Sequence, residues 1–276
     1  MENTTETKLI AELKKHTSLA IAFSGGIDSV YLTNKAIEVL GHDNVLAILV
    51  NSELFTDEEF ENAQKTAQML NINYTTVTMN ELEVPEIAHN EPSTWFYSKQ
   101  KLYATIKEAA KNAGFTDVAD GMISDDYADY RPGIKAKEEA GVVSPLKDAG
   151  YFKSDVRELS KKDGIQIWKK VASCSLCSRF PYNTDITPEK ISQIINAEKY
   201  LRSLGFATVR VRHHGTTASI EVLPDQIVDL LSFSNEILPE FKSLGFLYTT
   251  VDLEGYKMGK MNEVLTDAEK ESALSL

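Results

Sequence analysis

An apolar run, LAIAF (19–23), passes through Ser24, Gly25 and Gly26 straight into IDSVYLTNKAIEVLG, whose apolar residues recur at helical spacing until Gly41. A strand handed to a helix through two adjacent glycines fixes much of what surrounds it. With no Cβ in the way, backbone N–H groups approach an anion closely, and the following helix adds its positive end. Ser24 and Ser29 bring hydroxyl donors. The corner predicts a phosphate site rather than a plain tight turn. It lacks the lysine of a Walker A loop, and its adjacent glycines do not fit the G-x-G-x-x-G fingerprint.

The pattern repeats downstream. NVLAILV (44–50) is a second continuous apolar strand. TDEEFENAQKTAQMLN opens with Thr56 and Glu59 at capping-box spacing. INYTTVTM (72–79) reads as a strand, residues 93–115 as a long helix, and TDVAD (116–120) as another strand. Strands alternating with helices predict an α/β fold with a doubly wound parallel sheet. Ligands of such sheets bind outside the carboxyl ends of the strands, where Asn51, Ser52, Asp120 and Gly121 join the glycine corner. After about residue 185 the texture changes. Two helical stretches flank ATVRVRHHGTTASIEVLP, which alternates like a hairpin, and LYTTVDL closes as a strand. This predicts a smaller C-terminal α+β domain with a mostly antiparallel sheet. The expected division is 1–168 and 169–276.

The net charge is −12. A nucleic-acid backbone calls for a basic surface, so nucleic acid is not the expected partner. No apolar run approaches the ~18 residues of a membrane span, and the polar start MENTTETKLIAELKKH has no signal-peptide core. A cytoplasmic protein with no membrane partner is expected. The two cysteines, Cys174 and Cys177 in SCSLCSR, cannot build a disulfide framework and fall short of a four-ligand zinc site.

SGGIDS resembles the PP-loop of the ATP pyrophosphatase superfamily, whose enzymes cleave ATP between its α- and β-phosphates and adenylate a substrate. The resemblance implies that Ser24, Gly25, Gly26, Asp28 and Ser29 cradle pyrophosphate, with Asp28 helping to position Mg²⁺. It places Ala22, Phe23, Asn51 and Ser52 near the adenosine, and Asp120 and Gly121 near the ribose and α-phosphate. NSELFTDEEF, DGMISDDYADYRPGIKAKEEAG, VASCSLCSRFPY and AEKYLRSLGFATVRVRHH together resemble the LarE family through nearly the whole chain. Those enzymes are ATP-dependent sacrificial sulfur transferases that act in building the nickel-pincer nucleotide cofactor of lactate racemase.

The implied chemistry explains the residue types. A carboxylate is a poor electrophile, and adenylation supplies AMP as a leaving group for thiolate attack. Cys174 holds the sacrificial position. Arg179, five residues on, is close enough in sequence to favour its thiolate. Cys177 stands where the family pattern allows serine. It reads as the donor, a persulfide relay, a disulfide partner of Cys174 or a small buried residue. Relatives with three cysteines hold an iron–sulfur cluster; with two, none is expected here.

The family substrate, a pyridinium dicarboxylate mononucleotide, needs cations. TVRVRHH puts Arg210, Arg212 and His214 on one strand face, suited to bidentate anion binding or to pairing with acids such as Glu221. The resemblance adds Ser178 and Arg179 to that pocket. Trp95 and Lys99 share a helix face, where Trp95 stacks on the pyridinium or fills the core. Arg131 reaches a phosphate or pins a loop to Asp126 or Asp129. Glu198 and Asp229 orient the arginines or bind a metal. The family forms multimers of trimers, so a trimer-based homo-oligomer is expected. Two other readings remain open: a PP-loop enzyme that thiolates tRNA through a persulfide relay, and a nucleotide-binding sensor without chemistry.

Overall fold

The computed structural model describes residues 4–128, 133–164, 174–257 and 259–274. These fall into two compact units. One draws on Met1–Glu81, Trp95–Cys174 and Ala273–Leu276, the other on Leu82–Thr94 and Ser175–Ser272.

The first unit opens with α1 (Thr4–Leu13), β1 (Leu19–Ala22), α2 (Ile27–Leu40), β2 (Val45–Ser52), α3 (Asp57–Met69) and β3 (Tyr74–Met79). The chain then leaves for the second unit, where it forms the short α4 (Pro85–Ala88), and returns through α5 (Thr94–Asn112). β4 (Val118–Ala119), α6 (Gly133–Ala140), α7 (Pro145–Asp148) and α8 (Lys153–Lys162) follow. The strands are all parallel, in the order β3-β2-β1-β4. Strand order therefore reverses beside β1, the position at which doubly wound sheets open a crevice.

Both sheet faces are covered. Leu19 and Ile21 of β1 pack with Leu9, Leu13, Val30, Tyr31 and Ala63 from α1, α2 and α3. Ala20 of β1 and Ile48 of β2 face the other way, onto Tyr103, Ile106 and Ala110 of α5. Apolar residues at consecutive strand positions thus serve opposite layers, the reason for the continuous apolar runs. Thr56 caps α3 as expected, its side chain accepting from Glu59 N while Glu59 reaches back to Thr56 N. The predicted strand at 116–120 is only two residues long. Ala119, which pairs with Ile21 of β1, also makes a single isolated bridge with Val143.

The second unit continues with α9 (Pro188–Ser203), β5 (Val209–His214), β6 (Thr217–Val222), α10 (Ile227–Ser232), α11 (Ser234–Ser243) and β7 (Tyr248–Val251). β5 and β6 form the expected hairpin around Gly215, whose φ of +64° suits the two-residue turn. The expectation of a mostly antiparallel sheet is corrected by β7, which pairs with β6 in parallel. α10 and α11 lie between those strands in sequence, and a crossover of that length allows parallel pairing where a tight turn does not. Among the described residues, no helix is long and apolar enough to cross a membrane.

Candidate functional site

In the first unit the glycine corner opens onto a cavity of about 430 Å³. Ala22, Phe23, Ser24, Gly26, Asp28, Ser29, Ser52, Asp120 and Gly121, all expected around ATP, line it, and so does Lys99. Gly25 is not among the lining residues. Its φ is +65°, and a Cβ there would stand 2.7 Å from Ala63 Cα. The first glycine therefore lets the loop lie against α3. A Cβ on Gly121 would stand 2.8 Å from Ser29 N, so the β4 edge closes directly on the start of α2. Asn51 and Trp95 are partly exposed and do not line the cavity, and Arg131 lies outside the described residues.

Two carboxylates set the local electrostatics. Asp28 Oδ2 accepts from Lys153 Nζ at 2.5 Å, while Asp28 Oδ1 is buried with no hydrogen-bond partner. Burial pushes the Asp28 carboxyl above its ordinary range, against the lowering effect of the Lys153 hydrogen bond and charge; Asp126 raises it further and Arg157 lowers it. An orphaned carboxylate oxygen of this kind, beside hydroxyls and backbone N–H groups, fits Mg²⁺ arriving with a polyphosphate. Glu81 is fully buried and accepts from Ser52 Oγ and Ser98 Oγ. Burial raises this carboxyl also, more than those two hydroxyls lower it.

The floor beside β4 is a chain of buried polar groups. Asp120 accepts from Tyr103 OH at 2.7 Å, Ser144 Oγ at 2.6 Å and Met122 N at 3.2 Å. Lys137 Nζ donates in turn to Ser144 Oγ at 2.9 Å and Tyr127 OH at 2.8 Å. Both carboxylate oxygens of Asp120 are thus engaged, which fixes the turn that carries Gly121.

The second unit holds the cysteine turn. Cys174, the last residue of its stretch of the first unit, is exposed; Cys177 is buried. The turn Leu176–Arg179 is capped by Ser175 Oγ, which accepts from Cys177 N. Arg179 is buried and forms a fork with Glu198, Nε to Oε1 at 2.9 Å and NH2 to Oε2 at 3.3 Å. Its NH1 donates to Ser178 Oγ at 2.7 Å and Ser175 O at 3.3 Å. Glu198 also receives Arg202 NH1 and Val211 N. Burial would raise the Glu198 carboxyl, but the Arg179 charge and hydrogen bond, aided by Arg210 and Val211 N, hold it below the usual range. Glu198 thus contacts two arginines, Arg179 and Arg202. Asp229, by contrast, is exposed on α10.

On β5, the arginine face has the predicted alternation, with Val209, Val211 and His213 buried opposite it. Arg212 pairs with Glu221 through Nε at 2.9 Å and NH2 at 2.6 Å, and its NH1 donates to Ser178 O at 2.5 Å. This is the acid pairing weighed against anion binding. Arg210 stacks over Tyr256, 5.2 Å from the ring centre, with NH1 on Val209 O.

A family model described as NAD synthase matches residues 5–110, which contain the glycine corner and the first three strands. Pyridinium-3,5-bisthiocarboxylic acid mononucleotide synthase of Lactiplantibacillus plantarum is 48% identical over 266 residues, 96% of each chain. The chain belongs to that synthase family. An uncharacterized protein of Synechocystis sp. is 42% identical over 248 residues, covering 89% of this chain and 92% of its own. The NH(3)-dependent NAD(+) synthetase of Methanococcoides burtonii is 29% identical over 241 residues, 77% of this chain and 90% of its own. The match to the synthase takes in both the glycine corner and the cysteine turn, whereas the NAD synthase model stops within α5.

Within this synthase-family chain, Lys153 and Arg157 are the cationic cavity residues that sequence reasoning missed. Their spacing puts both on one face of α8, one turn apart. That pair of cations at the start of a helix is a signal available in KSDVREL. Glu81, Tyr103, Lys137 and Ser144 carry no such signal, since each gains its meaning only from tertiary partners.

Proposed function

We propose that the protein is an ATP-dependent sulfurtransferase that makes a thiocarboxylate on a pyridinium dicarboxylate mononucleotide. ATP and the carboxylate react to give an acyl adenylate and pyrophosphate. The Cys174 thiolate attacks the acyl carbon, and AMP leaves. A base then removes the Cys174 Cα proton and the Cβ–S bond breaks. Sulfur departs on the product, and dehydroalanine remains in the chain.

The chain's own residues divide this work. Ser24, Gly26 and Ser29 offer hydroxyl and backbone donors to the phosphates. Asp28 would hold Mg²⁺ with ATP, and that ion would neutralise phosphate charge. Lys153, paired with Asp28, and Arg157 add positive charge to the lining of the same cavity. Ala22, Phe23 and Ser52 take the adenosine; Asp120 and Gly121 take the ribose and α-phosphate. Residues from about 169 onward supply the sulfur and substrate groups: Cys174, Ser178, Arg179, Arg210 and Arg212, with Glu198 as their orienting acid. Trp95, Lys99, Arg131 and Asp229 belong to substrate or nucleotide recognition in this reading, and Cys177 is a buried companion. The active form is a trimer-based oligomer in the cytoplasm.

The observation that carries the reading is the cavity at the glycine corner, whose lining includes the orphaned Asp28 oxygen together with the cations Lys153 and Arg157. The sulfur step and the substrate rest on membership of the synthase family. Intact-mass analysis after turnover with ATP, Mg²⁺ and pyridinium-3,5-dicarboxylate mononucleotide tests it. Loss of the elements of hydrogen sulfide, mapped to Cys174 and absent from Cys174→Ser, is expected. Thiolated product with every chain mass unchanged would overturn the sacrificial step.

A further inference from the structure

Asn90 belongs to the 82–94 excursion, where it is 0% exposed and stands in left-handed backbone at φ +48°. Its Nδ2 lies 3.3 Å from Cys177 O, 3.0 Å from Phe180 O and 3.1 Å from Pro181 O. Three carbonyls around one atom fix the amide's orientation, because an oxygen there would face three acceptors. Two N–H hydrogens serve the three, so one bond is shared. Asn90 Oδ1, at the other end of the amide, is buried with no hydrogen-bond partner. A buried orphan acceptor is retained against its desolvation cost, which directs attention to what the donor end holds.

The backbone of the excursion has its own anchors. Asn183 N donates to Asn90 O at 3.0 Å, and Ile186 N donates to Ala88 O at 2.7 Å. Those bonds seat the excursion without any help from the Asn90 side chain. The side chain instead reaches back to residues 177–181. Ser175 and Glu198 hold the same turn through Cys177 N and Arg179, so its N–H and guanidinium groups are anchored without Asn90. Among the described residues, the Asn90 amide brings together the Cys177, Phe180 and Pro181 carbonyls, the first of which also accepts from Phe180 N.

We propose that Asn90 is a positioning residue for the cysteine turn. Its amide closes the carbonyl side of residues 177–181 and thereby sets Ser178 and Arg179 for sulfur transfer. This rests on the reading of that turn as part of the sulfur-transfer site. The backbone requirement explains the residue type: asparagine tolerates a positive φ, and few other side chains that do so carry an N–H donor. Aspartate would keep the backbone but set a carboxylate against three carbonyls. Glycine would keep the backbone and remove the amide.

Asn90→Gly and Asn90→Asp, compared with the native protein, test this in two ways. The first is alkylation of the folded protein, read by mass at each cysteine. Buried Cys177 is expected to react about tenfold faster in both variants, with the rate at exposed Cys174 unchanged. The second is the split between half-reactions. Pyrophosphate release is expected to stay within about twofold of the native rate, while sulfur transfer falls about tenfold or more. Unchanged Cys177 reactivity, unchanged sulfur transfer, or a proportionate fall in both half-reactions would overturn the proposal. So would loss of cooperative unfolding in both variants, which would make Asn90 a residue of fold stability only. A native protein that transfers no sulfur would refute the functional reading instead, and the alkylation rates would then decide on the clamp alone.

Discussion

Lys153 Nζ sits 2.5 Å from one oxygen of Asp28, and the other oxygen of the same carboxylate is buried without a partner. One acid of the glycine corner is thus half neutralised by a cation from α8. Lys153→Met removes that cation from the cavity wall. ATP binding by calorimetry is expected to weaken about tenfold or more, the scale of a charged hydrogen bond. Undiminished affinity would remove Lys153 from the phosphate site.

Asp28→Asn is expected to separate stability from activity. Burial raises the Asp28 carboxyl above its unfolded value. A raised carboxyl contributes stability that is complete below the unfolded pKa and lost as pH rises through the folded one. At neutral pH the variant should therefore melt higher than the native protein, and the advantage should vanish in acid below the usual carboxylate range. Pyrophosphate release with Mg²⁺ and ATP should fall about a hundredfold or more if Asp28 holds the metal as proposed, since the carboxylate charge is gone. A melting-temperature series against pH, with a pyrophosphate assay, checks both halves.

Gly25→Ala meets both a backbone and a steric obstacle. The φ of +65° strains any side chain, and the new Cβ would stand 2.7 Å from the main chain of α3. Destabilisation of about 2–4 kcal/mol is expected from urea unfolding. An unchanged unfolding midpoint would contradict the close approach of the loop to Ala63.

Arg179→Met removes the forked partner of buried Glu198 and leaves it the contacts with Arg202 NH1 at 3.3 Å and Val211 N at 3.1 Å. Removing one partner of a buried pair costs about 3–5 kcal/mol, and Arg179→Met with Glu198→Gln should recover a good part of it. The Glu198 carboxyl is held below its unfolded value. The stability it contributes is present above the unfolded pKa and lost as pH falls through the folded one. The gap in stability between the native protein and Arg179→Met should accordingly narrow in acid.

What could be read in advance follows from the range of each interaction. The glycine corner, the capping box at Thr56 and the alternation of β5 are written in residues within one turn or one strand of each other. The cavity lining follows from them once the strands are parallel. The parallel seat of β7 depends on how the α10–α11 crossover closes. Glu81, Asp120 and Asn90 depend on partners 17 to 91 positions away, such as Tyr103 and Pro181. No local pattern announces them. Arg212 shows the limit within a legible element: its face was readable, yet both Glu221 and Ser178 O were needed to show where its donors go.

The excursion at 82–94 ties the second unit to a segment lying between β3 and α5 of the first. A chain cut after Cys174 would leave the C-terminal piece without Ile87 and Asn90, both wholly interior. Such a module cannot be transplanted by joining one stretch of gene to another. It would have to travel with an insert from the middle of its host, so its inheritance is bound to that of the nucleotide-binding part.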